Sequence, residues 1–195
     1  MRLRVLVSII ALTVVGACSK EEAAQGSAAD PQDGFWASLQ SLCGEAFAGT
    51  VVESVPPDPS FEGQQLVMHV RQCEEDVVRV PFHVGDDRSR TWVISRTPNG
   101  LRLKHDHRHE DGTEDEVTQY GGDTAGPGSA ERQEFSADAH TATLVPSAAN
   151  NVWTLEIRPG EMFVYALRRE GAERRFRVEF DLSQPIPAPP PPWGS

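Results

Sequence analysis

After Gly49 the chain is punctuated at short intervals by turn dipeptides, and this spacing restricts it to an antiparallel β-fold. Asn99-Gly100, Asp111-Gly112, Pro159-Gly160 and Glu170-Gly171 are residue pairs that give tight turns their fixed or positive φ angles. Between and around them run short segments rich in β-branched and aromatic residues: 50–55, 64–73, 77–84, 89–97, 101–109, 114–120, 134–144, 152–158, 162–169 and 174–182. The last alternates cleanly, with Phe176, Val178, Phe180 and Leu182 on one face and Arg175, Arg177, Glu179 and Asp181 on the other, the pattern of a half-buried strand. Residues 35–47 alone have helical spacing: Phe35, Leu39, Leu42 and Ala46 share a face, and Asp33 is placed to cap the start. About ten sequential strands joined by hairpins after one short helix predict an all-β, up-and-down barrel, with a β-sandwich as the alternative.

The N-terminus reads as an export signal. Arg2 and Arg4 precede an apolar run over 5–15, broken only by Ser8 and Thr13, which is too short to span a bilayer as a helix. Val15-Gly16-Ala17-Cys18 resembles a lipobox, and the resemblance implies cleavage before Cys18 and lipidation of its thiol. Ser19 stands where lipoproteins retained in the inner membrane often carry Asp, which favours an outer-membrane anchor facing the periplasm. The expected organisation is a signal peptide over 1–17, a lipidated N-terminus and flexible tether over 18–33, a single β-rich domain over 34–182, and a proline-rich disordered tail over 183–195. The formal charge is −11 over 195 residues, and a cleaved leader would remove two arginines more. A surface this acidic repels phosphate backbones, which argues against nucleic acid as a partner. The lipid is then the expected membrane contact.

Three cysteines are present. With Cys18 assigned to lipid, Cys43 and Cys73 remain, and in an oxidising compartment an even remainder predicts a disulfide. Two free buried thiols are the alternative.

One segment concentrates titratable residues. If Asn99-Gly100 forms a two-residue turn, Ile94 faces His105, Trp92 faces His107 and Arg90 faces His109. Alternation then puts Leu101, Leu103, His105, His107 and His109 on the inward face with Trp92 and Ile94. A second tight turn at Asp111-Gly112 places Glu114, Glu116, Thr118 and Tyr120 opposite His109, His107, His105 and Leu103. The expected ligand-binding set is Arg90, Trp92, His105, His107, His109, Glu116 and Tyr120. His105, His107 and Glu116 form a candidate site for zinc or a similar divalent metal, because alternate strand residues lie roughly 6.6 Å apart on one face. Gly121-Gly122 and Gly126-Pro127-Gly128 read as a surface loop, a candidate lid over the barrel mouth.

The strand order resembles the calycin superfamily, which includes lipocalins and fatty-acid-binding proteins, although Trp36 falls in the helix rather than in a lipocalin Gly-x-Trp motif. That resemblance implies a small ligand held inside the barrel. The stretch 87–122 (DRSRTWVISRTPNGLRLKHDHRHEDGTEDEVTQYGG), with 132–135 and 174–181, is similar to a family of bacterial secreted proteins and lipoproteins, which implies export and a shared domain and assigns no catalytic residue. Three functions remain open: a lipoprotein binding a small polar or acidic ligand through an Arg/His/Glu interior, a metal-dependent enzyme using His105, His107 and Glu116, and an envelope interaction protein whose histidine cluster is structural.

Overall fold

The computed structural model describes residues 30–195. The expected signal peptide, Cys18 and most of the expected tether lie outside the described residues. The elements are α1 (Pro31–Ser41), β1 (Ala46–Val55), β2 (Leu66–His69), β3 (Gln72–Cys73), β4 (Val77–Val84), β5 (Asp87–Thr97), β6 (Gly100–His107), β7 (Tyr120–Thr124), β8 (Arg132–Ala137), α2 (Ala139–Leu144), β9 (Asn151–Arg158), β10 (Met162–Arg169) and β11 (Arg175–Asp181). Each strand from β4 to β11 pairs antiparallel with the next, β11 pairs with β1, β1 with β2, and β2 with β4. These contacts close a ten-strand barrel, and β3 is the additional strand, on the edge of β4. The up-and-down barrel expected from the turn spacing is the observed fold.

Two expected elements begin or end elsewhere. The helix starts at Pro31 because Asp30 caps it, its carboxylate accepting from Gln32 N–H at 2.9 Å. The last residues assigned to the tether are therefore its first turn, and Asp33 pairs instead with Arg96. The helix stops at Ser41 because Ala46 and Phe47 find partners in His69 and Met68 and become strand. The expected strand over 134–144 divides at Asp138, whose carboxylate accepts from Thr141 N–H at 2.8 Å and starts α2.

One end of the barrel is closed. Phe35, Trp36 and Leu39 of α1 are buried there with Leu42. The Gln32 amide donates to Thr124 Oγ1 at 3.0 Å and to the Gly126 carbonyl at 3.1 Å, and Arg96 lies 5.6 Å over the Trp36 ring. The Cys43–Cys73 disulfide, with a Cα separation of 6.2 Å, ties the chain after α1 to β3. The loop over 125–131 sits at this closed end, beneath α1, so it is no lid over the mouth. Gly121 and Gly122 are not loop residues but β7, where a Cβ would meet the Leu103 carbonyl oxygen at 2.0 Å and that of Ser136 at 1.7 Å. Glycine is what allows three strands to approach there.

The opposite end is open and is bordered by the 56–65, 108–119, 138–150 and 170–174 connections. The proline-rich segment, expected to be disordered, is laid along the outer wall instead: Ile186 bridges to Ala46, and Trp193 N–H donates to the Arg88 carbonyl at 3.1 Å.

Candidate ligand-binding site at the open end of the barrel

The turn between β5 and β6 sets the site. Thr97 pairs with Gly100, so Pro98 and Asn99 form the corner and not Asn99 and Gly100. Proline's fixed φ suits the first corner position, and Gly100 takes the positive φ of 135° after it. Pairing is thereby displaced by two residues from the expected register. Ile94 faces Leu103, Trp92 faces His105, and Arg90 faces His107. A displacement of two preserves which face each side chain occupies, so Arg90, Trp92, His105 and His107 line the interior as expected.

The next turn does not preserve it. Arg108 bridges to Glu114, but His105 then pairs with Tyr120. The intervening residues bulge outward, with Asp115 N–H donating to the His107 carbonyl and Gln119 N–H to that of His105; Gln119 adopts a φ of 59°. Glu116 is consequently exposed, as is His109, and Glu114 pairs on the outside with Arg108. Val117, not a glutamate, reaches the cavity. The set His105, His107 and Glu116 is not brought together, and among the described residues no three His, Cys, Asp or Glu side chains are grouped to hold a metal ion.

The interior opens into a cavity of about 360 Å³. Its deep wall is aromatic: Trp92 stacks on Tyr165 with centroids 4.4 Å apart and on Phe82 at 4.9 Å, and Trp153 lies beside them. His105 is buried at 2 % exposure and its ring stacks on Tyr120 at 4.5 Å. Its Nδ1 lies 3.1 Å from the Tyr120 carbonyl, which can only accept, so Nδ1 carries the proton. Nε2 is then the acceptor for the Tyr165 hydroxyl at 2.8 Å. Burial away from water holds the His105 pKa down to about 3, so the ring is neutral. Both nitrogens are engaged, and His105 is part of the cavity wall's structure.

His107 lies one step nearer the mouth and is half-buried. Its Nε2 is 3.2 Å from the Tyr120 hydroxyl. Burial first, and then the Arg90 charge, lower its pKa against the opposing pull of Asp115, Asp87 and Asp106. Burial raises the Tyr120 hydroxyl to about 12, so that group stays protonated and available as a donor. Cationic groups stand around the mouth. Arg90 is held by Asp87 at 2.5 Å, Arg169 Nε donates to Asn151 Oδ1 at 2.9 Å, and Arg174 also lines the opening. Among the described residues neither Arg169 nor Arg174 has an acidic ion-pair partner, whereas Arg132, Arg168, Arg175 and Arg177 on the outer wall all contact glutamates and Arg88 and Arg158 there do not.

Of the residues expected on the inward face, Arg90, Trp92, His105 and His107 from the 99–100 hairpin and Tyr120 from the expected turn at 111–112 line the cavity. The expected set missed Tyr165, Trp153, Arg169 and Arg174. The signal was the same period-two alternation, carried by Asn151/Trp153/Leu155 and Phe163/Tyr165/Leu167/Arg169. Those two strands became neighbours of the histidines only by closure of the barrel. No family model, curated protein or solved structure matches the chain.

Proposed function

We propose that the protein is a lipid-anchored envelope protein whose calycin-like barrel binds a small amphipathic anion, with a flat apolar body against Trp92 and Tyr165 and its charge among Arg90, Arg169 and Arg174. The observation that carries this reading is the pairing of an aromatic deep wall with the Arg169 and Arg174 guanidinium groups, neither ion-paired among the described residues, at the mouth of the 360 Å³ cavity beside the Asp87-paired Arg90 and Asp58, in a chain whose formal charge is −11. Ligand pockets of roughly 300–1,000 Å³ that are mostly apolar, with a few convergent polar groups, are the usual form of a small-molecule site. Guanidinium forks suit carboxylates in geometry as well as charge. His107 and the Tyr120 hydroxyl supply hydrogen bonds between the two regions. The glutamates do not belong to this site.

Trp92 and Trp153 report on the cavity directly. Titration with 2-naphthoate should quench tryptophan fluorescence saturably at one equivalent per chain. Absence of saturable quenching up to millimolar naphthoate would contradict the reading.

The anchor is a separate part of the proposal. It rests on the lipobox-like residues ending at Cys18, with support from the Cys43–Cys73 disulfide, since disulfides persist in oxidising compartments. Cys18 would carry the lipid, on the periplasmic side of the outer membrane. Cys18→Ser should leave the protein unprocessed or soluble; a variant that stays with membranes after high-salt washing would refute lipidation at Cys18.

A further inference from the structure

The chain after Leu182 returns along the outside of the barrel. It is fixed at three places by hydrogen bonds, two between main chains and one from a side chain. Ile186 N–H donates to the Ala46 carbonyl at 2.8 Å, Arg88 Nη1 donates to the Pro191 carbonyl at 3.0 Å, and Trp193 N–H donates to the Arg88 carbonyl at 3.1 Å. Gly194 ends against Gly112. The consecutive prolines over 189–192 have no N–H and favour a stiff extended chain that offers carbonyl acceptors. The wall meets them with a donor, the Arg88 guanidinium.

The seat itself is unusual for an outer wall. Phe82 and Val84 face into the barrel, so His83 points outward; yet it is only 4 % exposed, because Pro189, Pro190 and Trp193 border the same space as His83. That space, about 530 Å³ and also bordered by Gln65 and Arg88, lies between the wall and the tail that crosses it. Among the described residues neither His83 Nε2 nor Trp193 Nε1 has a hydrogen-bond partner, although both atoms are buried. Leaving a buried polar atom unpartnered opposes the packed state. Two polar atoms of the strap and its seat thus lack a partner among the described residues, and the covalent tether keeps the strap beside its seat at an effective concentration of order millimolar.

We propose that the outer wall formed by β2, β4 and the start of β5 is a receptor surface for an extended proline-rich segment with a tryptophan directly after its proline run, that residues 184–195 of the chain itself occupy it as an intramolecular ligand, and that the same segment of a second copy takes the same seat in trans. An identical segment makes identical contacts, so exchange depends only on local chain concentration. The proposal is independent of the cavity and of what it binds.

Two measurements on the full chain test it. In the first, a fluorescent peptide of residues 184–195 is titrated into wild type and into Trp193→Ala, which loosens the resident tail and leaves the wall intact. The peptide should bind the variant at least tenfold more tightly than wild type. A peptide with alanine in place of tryptophan should not bind, and adding Arg88→Ala to the variant should weaken binding at least tenfold. No binding to a Trp193→Ala chain that melts like wild type, or equal binding to both proteins, would overturn the proposal. In the second, a spin label on Ser195→Cys of one copy should broaden the Arg88 and His83 amide resonances of an isotopically labelled copy at millimolar concentration. Absence of that broadening would overturn trans exchange by itself.

Discussion

Followed from the end that α1 covers to the end it leaves open, the inward side of each strand changes in the same order. On β5 it runs Ile94, Trp92, Arg90; on β6, Leu103, His105, His107; on β10, Phe163, Tyr165, Leu167, Arg169; and from β11 into the preceding turn, Phe180, Val178, Phe176, Arg174. Aliphatic residues and Phe fill the closed end, aromatic residues and a neutral histidine form the middle, and guanidinium groups border the mouth. Small barrels fill their interior in layers of side chains, and here only the lower layers are filled to exclusion of water. Stability and the proposed binding are thereby separated along one axis. The closed end gains from burial and cross-linking, while the open end keeps charged groups at the mouth.

Removing packing at the closed end should have the largest effect on stability. Phe35 is fully buried, and Phe35→Ala should cost about 3–5 kcal/mol by denaturant unfolding, with naphthoate affinity of the folded protein unchanged; a selective loss of binding would break the separation of the two ends. Replacing Cys43 and Cys73 by alanine opens a link spanning 30 residues of sequence and should cost about 3–4 kcal/mol. Reductant should lower the unfolding midpoint of wild type and leave that of the double variant in place, and insensitivity of both would sink this prediction.

The middle layer should reveal itself by acid. His105 has its pKa held at about 3 in the folded chain against an ordinary value of 6.5, so the unfolded chain takes up the proton first. Stability is unaffected by this group above pH 6.5 and falls as pH drops from there towards 3, by up to about 1.4 kcal/mol per unit. Between pH 7 and pH 5, wild type should lose about 2 kcal/mol more than His105→Gln; parallel pH curves would contradict a buried neutral His105. At the mouth, Arg174→Ala should change stability by less than about 0.5 kcal/mol while weakening naphthoate binding. A large drop in stability there would make Arg174 structural.

The barrel was legible because hairpin turns and period-two alternation are local signals, and its strands pair mostly with their sequence neighbours. The inward placement of His105 and His107 survived a mistaken register because the displacement at Pro98 was even. Glu116 did not survive, because the bulge ending at Gln119 inserts residues that no turn dipeptide marks. The cationic mouth was illegible for a different reason. Arg90 meets Arg169 and Arg174 only through closure of the sheet from β11 onto β1 and from β2 onto β4, and pairing between segments that distant in sequence leaves no local trace. The tail misled by composition: proline-rich chain without a core of its own reads as disordered, but the wall under it buries an outward histidine that the sequence presents as an ordinary strand residue.

If charge at the open mouth selects the ligand, one ratio of affinities reads that selection. The affinities of 2-naphthoate and its neutral counterpart 2-naphthamide are measured by calorimetry for wild type and for Arg169→Ala/Arg174→Ala. Wild type should favour the carboxylate at least tenfold, a difference of about 1.4 kcal/mol, and the ratio should fall towards one in the double variant while amide binding persists on the aromatic wall. Equal affinities in wild type, or a preference for the carboxylate that the double variant retains, would contradict selection by that charge.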